Sequence, residues 1–199
     1  MSTGKRGRPR NLETQQAILQ AAYDLLFEIG FADITVEKIA ERAGVSKATI
    51  YKWWPGKAAV VMDGYLSAAS QRLPVPDTGN AFEDLLAHAT NLTRFLVSGE
   101  GRVITQLIGE SQTDPGVADA YRSRYVQPRR KETRQIIDRG IQRGELRQDV
   151  NPDLFIDLLY GPIFYRLTMT GEHLDDTFVK DIVTLAFQGI GQPRPSKAT

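Results

Sequence analysis

The stretch Thr35–Lys57, TVEKIAERAGVSKATIYKWWPGK, decides how the chain folds. It reads as two short helices joined by a tight turn. Thr35 stands where it can cap the first helix, its hydroxyl accepting from an early backbone N–H. Ile34 just before the cap and Ile39 within the helix have the spacing of a hydrophobic staple. Ile39, Ala40 and Ala43 make a narrow apolar stripe at helical period. Gly44 follows, suited to a left-handed stop. Ser46 caps the second helix, and Val45 with Ile50 repeats the staple. The small residues Ala40, Ala43 and Gly44 let two helices cross closely at a steep angle, which a helix-turn-helix requires.

The second helix is polar where a buried helix would be apolar. On a helical wheel Ile50 and Trp54 point toward a core. Ala48 and Lys52 point the opposite way, flanked by Thr49 and Tyr51. A cation, a hydroxyl, a phenol and a small residue that admits close backbone approach suit the floor and walls of a DNA major groove. Pro55 halts this helix. Lys57 opens another, where backbone N–H groups and a cation can meet a phosphate. Taken in isolation, the pattern also fits an ordinary surface helix of an α-protein.

Gly30-Phe31, Thr35-Val36, Ile39-Ala40, Ala43-Gly44-Val45-Ser46, Thr49-Ile50-Tyr51, Trp54 and Lys57 together resemble the DNA-binding domain of the TetR family of repressors. The resemblance runs without a gap from about Asn11 to Leu73. Trp53 stands where that family more often carries His or Tyr, and Gly56 weakens the start of the following helix. The resemblance implies DNA contacts from Thr35, Ser46, Lys47, Ala48, Thr49, Tyr51, Lys52, Trp53 and Lys57.

Composition agrees with this class. The 199 residues suffice for one or two small domains, and the 41% apolar content can fill a core. No cysteine is present, so neither a disulfide framework nor a thiolate metal site is expected. No apolar run reaches a membrane span, and the basic, polar N-terminus is not a secretory signal. A cytoplasmic protein is the expectation. The net charge of +1 conceals an asymmetry: ten Lys/Arg face seven Asp/Glu up to Arg72, and fifteen face seventeen beyond it. The positive side coincides with the expected DNA-reading side, as a polyanionic partner requires.

Residues 1–10 carry Lys5, Arg6, Arg8 and Arg10 without an acid, and read as a flexible basic arm. Arg6-Gly7-Arg8-Pro9-Arg10 resembles the arginine hook that lies along an A·T-rich minor groove, so Arg6 and Arg8 join the candidate DNA contacts. A basic tail that only adds phosphate contacts fits the same residues. A helix over about Leu12–Ile29 buries Ile18, Ala21, Ala22, Leu25, Leu26 and Ile29 and ends at Gly30. Another, about Lys57–Arg72, completes the DNA-binding domain over 11–73. Pro and Gly between Leu73 and Asn80 mark a linker.

Residues 80–191 read as a second helical domain, and 192–199 as a disordered tail. Asn80, Asp114 and Asn151 are placed as helix caps, the last two followed by Pro. A bend is expected near Pro128, and a kink at Gly161-Pro162. The last two helices are apolar on more than one face, which suggests a partner surface. No alternating β pattern appears, so the class is all-α: an N-terminal helix-turn-helix domain and a C-terminal helical ligand-binding and dimerisation domain.

The family resemblance implies that those last helices pair with their copies in a homodimer. It also implies a pocket in the second domain for a small-molecule effector. YGPIFYRLTMTG, within the second domain, resembles a C-terminal domain found in one branch of the family. Candidate pocket residues are Phe95, Tyr121, Tyr125, Phe164, Tyr165 and Met169. Arg129, Arg130, Lys131 and Arg134 could meet an acidic ligand or form a solvated helix face. His88 and His173 are isolated in sequence, so no metal and no cofactor is expected. No Walker pattern, dinucleotide fingerprint or Gly-x-Ser-x-Gly elbow occurs, so no catalytic residue is named. The expected function is a ligand-responsive regulator, most simply a repressor, on a double-stranded palindromic operator. A helical protein-interaction scaffold is the alternative.

Overall fold

The computed structural model describes residues 9–69 and 75–190. Among these residues there are ten α-helices and no strand. In order they are α1 Pro9–Asp33, α2 Val36–Arg42, α3 Lys47–Tyr51, α4 Lys57–Ala69, α5 Ala81–Val97, α6 Arg102–Glu110, α7 Pro115–Tyr121, α8 Gln127–Gln142, α9 Pro152–Tyr165 and α10 Asp176–Ile190. The chain divides into two compact units. One gathers the residues up to 72 with 106–126, and the other gathers 73–105 with 127 onward. The stretch 106–126, assigned from the sequence to the second domain, thus clusters with the first.

In the first unit α1 packs along α4, α2 packs on α1, and α3 packs on α2. Ile18, Ala22, Ile34, Ile39, Ile50, Val60, Val61 and Met62 are fully buried. A Cβ at Gly64 would lie 2.6 Å from the Leu19 carbonyl oxygen, so only glycine lets the α1 and α4 backbones approach this closely. Burying an isoleucine side chain is worth roughly 1.5–3 kcal/mol, against about 1 kcal/mol for a helix cap. The core therefore holds the helix-turn-helix together, and the caps set where its helices begin.

Two local expectations are corrected here, the start of α1 and the burial of Ile29. α1 begins at Pro9, inside the stretch read as an arm, because proline needs no intrahelical donor in a first turn. Gly30 breaks it with φ 77° and ψ 161°, and a short turn carries Phe31 to Asp33. Ile29 is exposed, and Phe31, just past the break, takes its place in the core. The rest of the arm, Arg6 and Arg8 included, lies outside the described residues, as do Leu73 and Pro74 of the linker and the tail at 192–199.

In the second unit α5, α8, α9 and α10 pack around one core. Leu85, Leu96, Ile136, Phe155, Leu159, Ile163 and Val179 are buried in it, and Phe82 meets Phe187 edge-on at 5.4 Å. Asn80 and Asn151 cap α5 and α9, and Asp175 accepts from Phe178 N–H at 2.8 Å to start α10. A π-helical turn, Arg122–Val126, precedes α8 and Pro128. The wider turn answers the donor that Pro128 lacks. α9 continues through Pro162. Leu158, whose carbonyl loses its partner to Pro162, lies on an exposed face where water can serve it. A π-helical stretch, Arg166–Thr170, then leads to Gly171.

Candidate nucleic-acid interface

The turn between α2 and α3 forms as its residues dictate. Thr35 Oγ1 accepts from Lys38 N–H at 3.2 Å, and Ser46 Oγ accepts from Thr49 N–H at 3.2 Å. Gly44 takes φ 66°, a conformation a side chain would strain. Val45 N–H returns to the Ala40 carbonyl at 2.9 Å. Helix α3 is only five residues long. Its orientation is fixed by Ile50, fully buried, and by Trp54, 5% exposed. Trp54 Nε1 donates to Asp63 Oδ2 of α4 at 2.7 Å.

That anchoring turns Ser46, Lys47, Ala48, Tyr51 and Lys52 to the surface, with Thr49 and Trp53 half-buried. Tyr51 is 54% exposed, so its phenol is free to reach outward. Thr49 Oγ1 is 2.9 Å from Ser46 Oγ, which ties the two hydroxyls at the head of the helix. Trp53 stacks edge-on against Trp54 at 5.7 Å, and Lys52 lies 5.9 Å from the Trp53 ring. The face offers a small floor at Ala48, flanked by polar and aromatic walls.

Most cations around this face are already engaged. Lys47 Nζ donates to Glu37 Oε1 at 2.9 Å, which holds the Glu37 carboxyl below its ordinary range and raises the lysine. Arg42 pairs bidentately with Glu28 at 2.8 and 2.7 Å. Lys57 has partners that the sequence reading did not name. Its ammonium donates to the Phe31 and Ala32 carbonyls at 3.1 and 3.2 Å and lies over the Phe31 ring at 4.7 Å. It closes the end of α1, where carbonyls lack intrahelical donors. Glu37, Asp63 and Arg124 bear on the site, yet the sequence reading did not single them out. The available signal was Asp63, a lone acid among Val60, Val61, Tyr65 and Leu66 of α4.

The proposed effector residues divide between the units. Tyr121 and Tyr125 stack at 5.5 Å in the first. Burial pushes the Tyr121 phenol well above its ordinary range. In the second, Phe95 is buried and Phe164 half-buried, whereas Tyr165 and Met169 are 58% and 73% exposed. The basic cluster is a helix-to-helix ion-pair lattice: Arg130 and Arg134 pair with Asp153, Arg130 also with Asp157, and Arg129 with Glu132. His88 is buried, its Nδ1 2.5 Å from the Tyr160 hydroxyl and its Nε2 3.6 Å from Glu132.

Residues 18–62 match the family described as "Bacterial regulatory proteins, tetR family", and residues 75–186 match "Tetracyclin repressor-like, C-terminal domain". The chain belongs to the TetR family. It is 58% identical over 186 residues to the uncharacterized HTH-type transcriptional regulator YdeS of Bacillus subtilis (strain 168), covering 94% of each chain. It is 30% identical over 170 residues to the DNA-binding transcriptional repressor TetR of Mycobacteroides abscessus, covering 84% of this chain and 88% of that one. The crystal structure of TetR family transcription regulator SCO0332 superposes with a TM-score of 0.79 at 38% identity, over 89% of this chain and 98% of that one. This TetR-family protein is therefore a DNA-binding transcriptional regulator of all-α fold, not an enzyme.

Proposed function

We propose that the protein is a ligand-responsive transcriptional repressor of the cytoplasm, reading a palindromic operator as a homodimer. The observation that carries this is the α3 surface: Ala48, Tyr51 and Lys52 exposed, with Ile50 and Trp54 buried behind them. In this reading Ala48, Thr49, Tyr51 and Lys52 meet base edges, and Thr35, Ser46, Lys47, Trp53 and Lys57 hold the phosphates. Arg6 and Arg8 add contacts from the arm. The repressor assignment is supported by the name of the Mycobacteroides abscessus relative.

Dimerisation is supported by apolar side chains left in solvent on α9 and α10. Leu154, Leu158 and Leu185 are 56%, 59% and 69% exposed. They border a groove of about 570 Å³ together with Phe155, Pro162 and Ile182. A five-residue recognition helix reads too few bases to find one operator, and a twofold pair doubles the site. The effector acts as a coupling free energy between ligand and DNA, typically about 1–3 kcal/mol. The domains at 11–73 and 80–191 divide these tasks. Among the described residues no helix is long and apolar enough to cross a membrane.

The test is selection of a binding sequence from a random DNA pool, followed by affinity against salt. A regulator selects a palindrome and shows a steep negative slope. A shallow slope without sequence preference would sink the reading. A thermal-shift screen of small molecules, scored by release of the selected DNA, then tests the effector.

A further inference from the structure

We propose that Asp63 is a positioning residue for DNA reading: without lying on α3, it fixes the pose in which α3 presents its exposed face. This deepens the regulator reading and rests on it. The Asp63 Oδ2 atom accepts the Trp54 indole N–H at 2.7 Å and also pairs with the Arg124 guanidinium. Trp54 is 5% exposed, so its N–H has little access to water as a substitute acceptor. An indole has a single donor in a fixed direction, so this bond sets the rotation of the ring. The backbone of the same residue is locked to the helix, Trp54 N–H donating to the Ile50 carbonyl at 3.0 Å. The ring pose and the end of α3 are therefore one rigid piece.

A five-residue helix has too few turns to hold its own direction. Two anchors, Ile50 and Trp54, do so. Ile50 is held by shape alone, and Trp54 by shape and one hydrogen bond. Arg124 fixes the other side of that bond. It lies in the π-helical turn Arg122–Val126, beside the stacked Tyr121 and Tyr125, and its guanidinium keeps the carboxylate turned toward the indole. The recognition face is thus set through a chain of three side chains: Trp54 just after α3, Asp63 of α4, and Arg124 of the turn after α7.

Charge alone predicts the opposite behaviour on mutation, and the test uses this. Removing an acid from a DNA-binding unit should tighten binding to every sequence. The experiment takes DNA selected by the wild-type protein from a random pool, and unselected DNA of equal length. It measures both affinities against salt for Asp63→Leu, Asp63→Asn and Arg124→Gln in the full chain. Asp63→Leu is expected to lower affinity for the selected DNA at least tenfold while affinity for unselected DNA holds or rises. The salt slope is expected to stay unchanged, because no phosphate contact is lost. Asp63→Asn keeps an oxygen for the indole and is expected to recover part of the loss. Arg124→Gln leaves the acceptor in place but unpinned, and is expected to lose less than Asp63→Leu.

Selected-sequence affinity within twofold of wild type in Asp63→Leu and Arg124→Gln overturns the proposal. So does a parallel fall on both DNAs. If Asp63→Leu fails to fold, Asp63→Asn and Arg124→Gln decide by the same two-DNA comparison. Failure of the wild-type protein to select any sequence is a separate outcome, overturning the regulator reading and this inference with it.

Discussion

Lys47, the first residue of α3, donates to Glu37 of α2 at 2.9 Å across the helix-turn-helix. The recognition helix thus enters solution with its leading cation already paired. To meet a phosphate, Lys47 must exchange one anion for another. Glu37 also adds a negative charge to a surface meant for a polyanion. Glu37→Gln is expected to raise affinity for unselected DNA, by roughly three- to tenfold at low salt, and to steepen the salt slope by up to about one unit. Stability should change little, since both partners are exposed and water and salt screen the pair. Anisotropy titrations over a salt series decide it. An unchanged affinity and slope would remove Lys47 from the DNA contacts.

Lys57 gives a prediction of mixed character. Its ammonium has three donors, and two are used on the Phe31 and Ala32 carbonyls. Lys57→Ala is expected to weaken binding to selected and unselected DNA alike, because a phosphate carries no sequence. It is also expected to lower the unfolding midpoint, because two carbonyls and one ring lose their cation, at a cost of roughly 1–2 kcal/mol. Thr49→Ala, by contrast, should relax base preference and leave affinity for unselected DNA near wild type. Equal effects of the two changes on both kinds of DNA would contradict this division of roles.

What the sequence disclosed follows the range of each interaction. The caps at Thr35 and Ser46 were legible because donor and acceptor are three residues apart. The α3 face was legible because helical period separates Ile50 and Trp54 from Ala48 and Lys52. The bonds of Lys57 to the end of α1 were not legible because their acceptors lie 25 and 26 residues away. Asp63 meets Arg124 across 61 residues, and no local pattern encodes that pairing. The basic run at 129–134 left an acidic ligand and a solvated face both open, because its acids, Asp153 and Asp157, sit on another helix. The effector candidates were chosen for aromatic character at helical spacing. That criterion also selects core residues such as Phe95 and surface ones such as Tyr165.

The exposed leucines of α9 and α10 predict how the assembly fails. Leu158→Glu and Leu185→Glu place charges at positions 59% and 69% exposed, where a monomer tolerates them. A twofold interface does not, since each substitution appears twice and like charges face each other. Sedimentation should show a shift from dimer to monomer, with the helical circular-dichroism signal intact. Affinity for the selected DNA should fall about a hundredfold or more, the avidity of a second half-site being lost. A double variant that remains dimeric would move the interface away from this surface.

Asp84 carries the pH prediction. It is fully buried on α5, and its Oδ1 accepts from both the backbone N–H and the hydroxyl of Thr78, each at 2.7 Å. Arg139 and Arg143 stand 3.6 and 3.9 Å from Oδ2. Burial opposes the charge and is the largest influence, but the Thr78 bonds and the two arginines together outweigh it, so the carboxyl is held below its ordinary range. A carboxyl depressed in the folded state contributes stability above its unfolded value, near 4, and that contribution disappears as pH falls through the folded value. Asp84→Asn keeps an oxygen for Thr78 but loses the charge facing the arginines, and is expected to cost roughly 1–3 kcal/mol at neutral pH. The gap between wild-type and variant unfolding midpoints should narrow as pH drops below about 4. Midpoints recorded from pH 7 to pH 3 test the sign directly, and a gap that widens toward acid would show that Asp84 is held neutral instead.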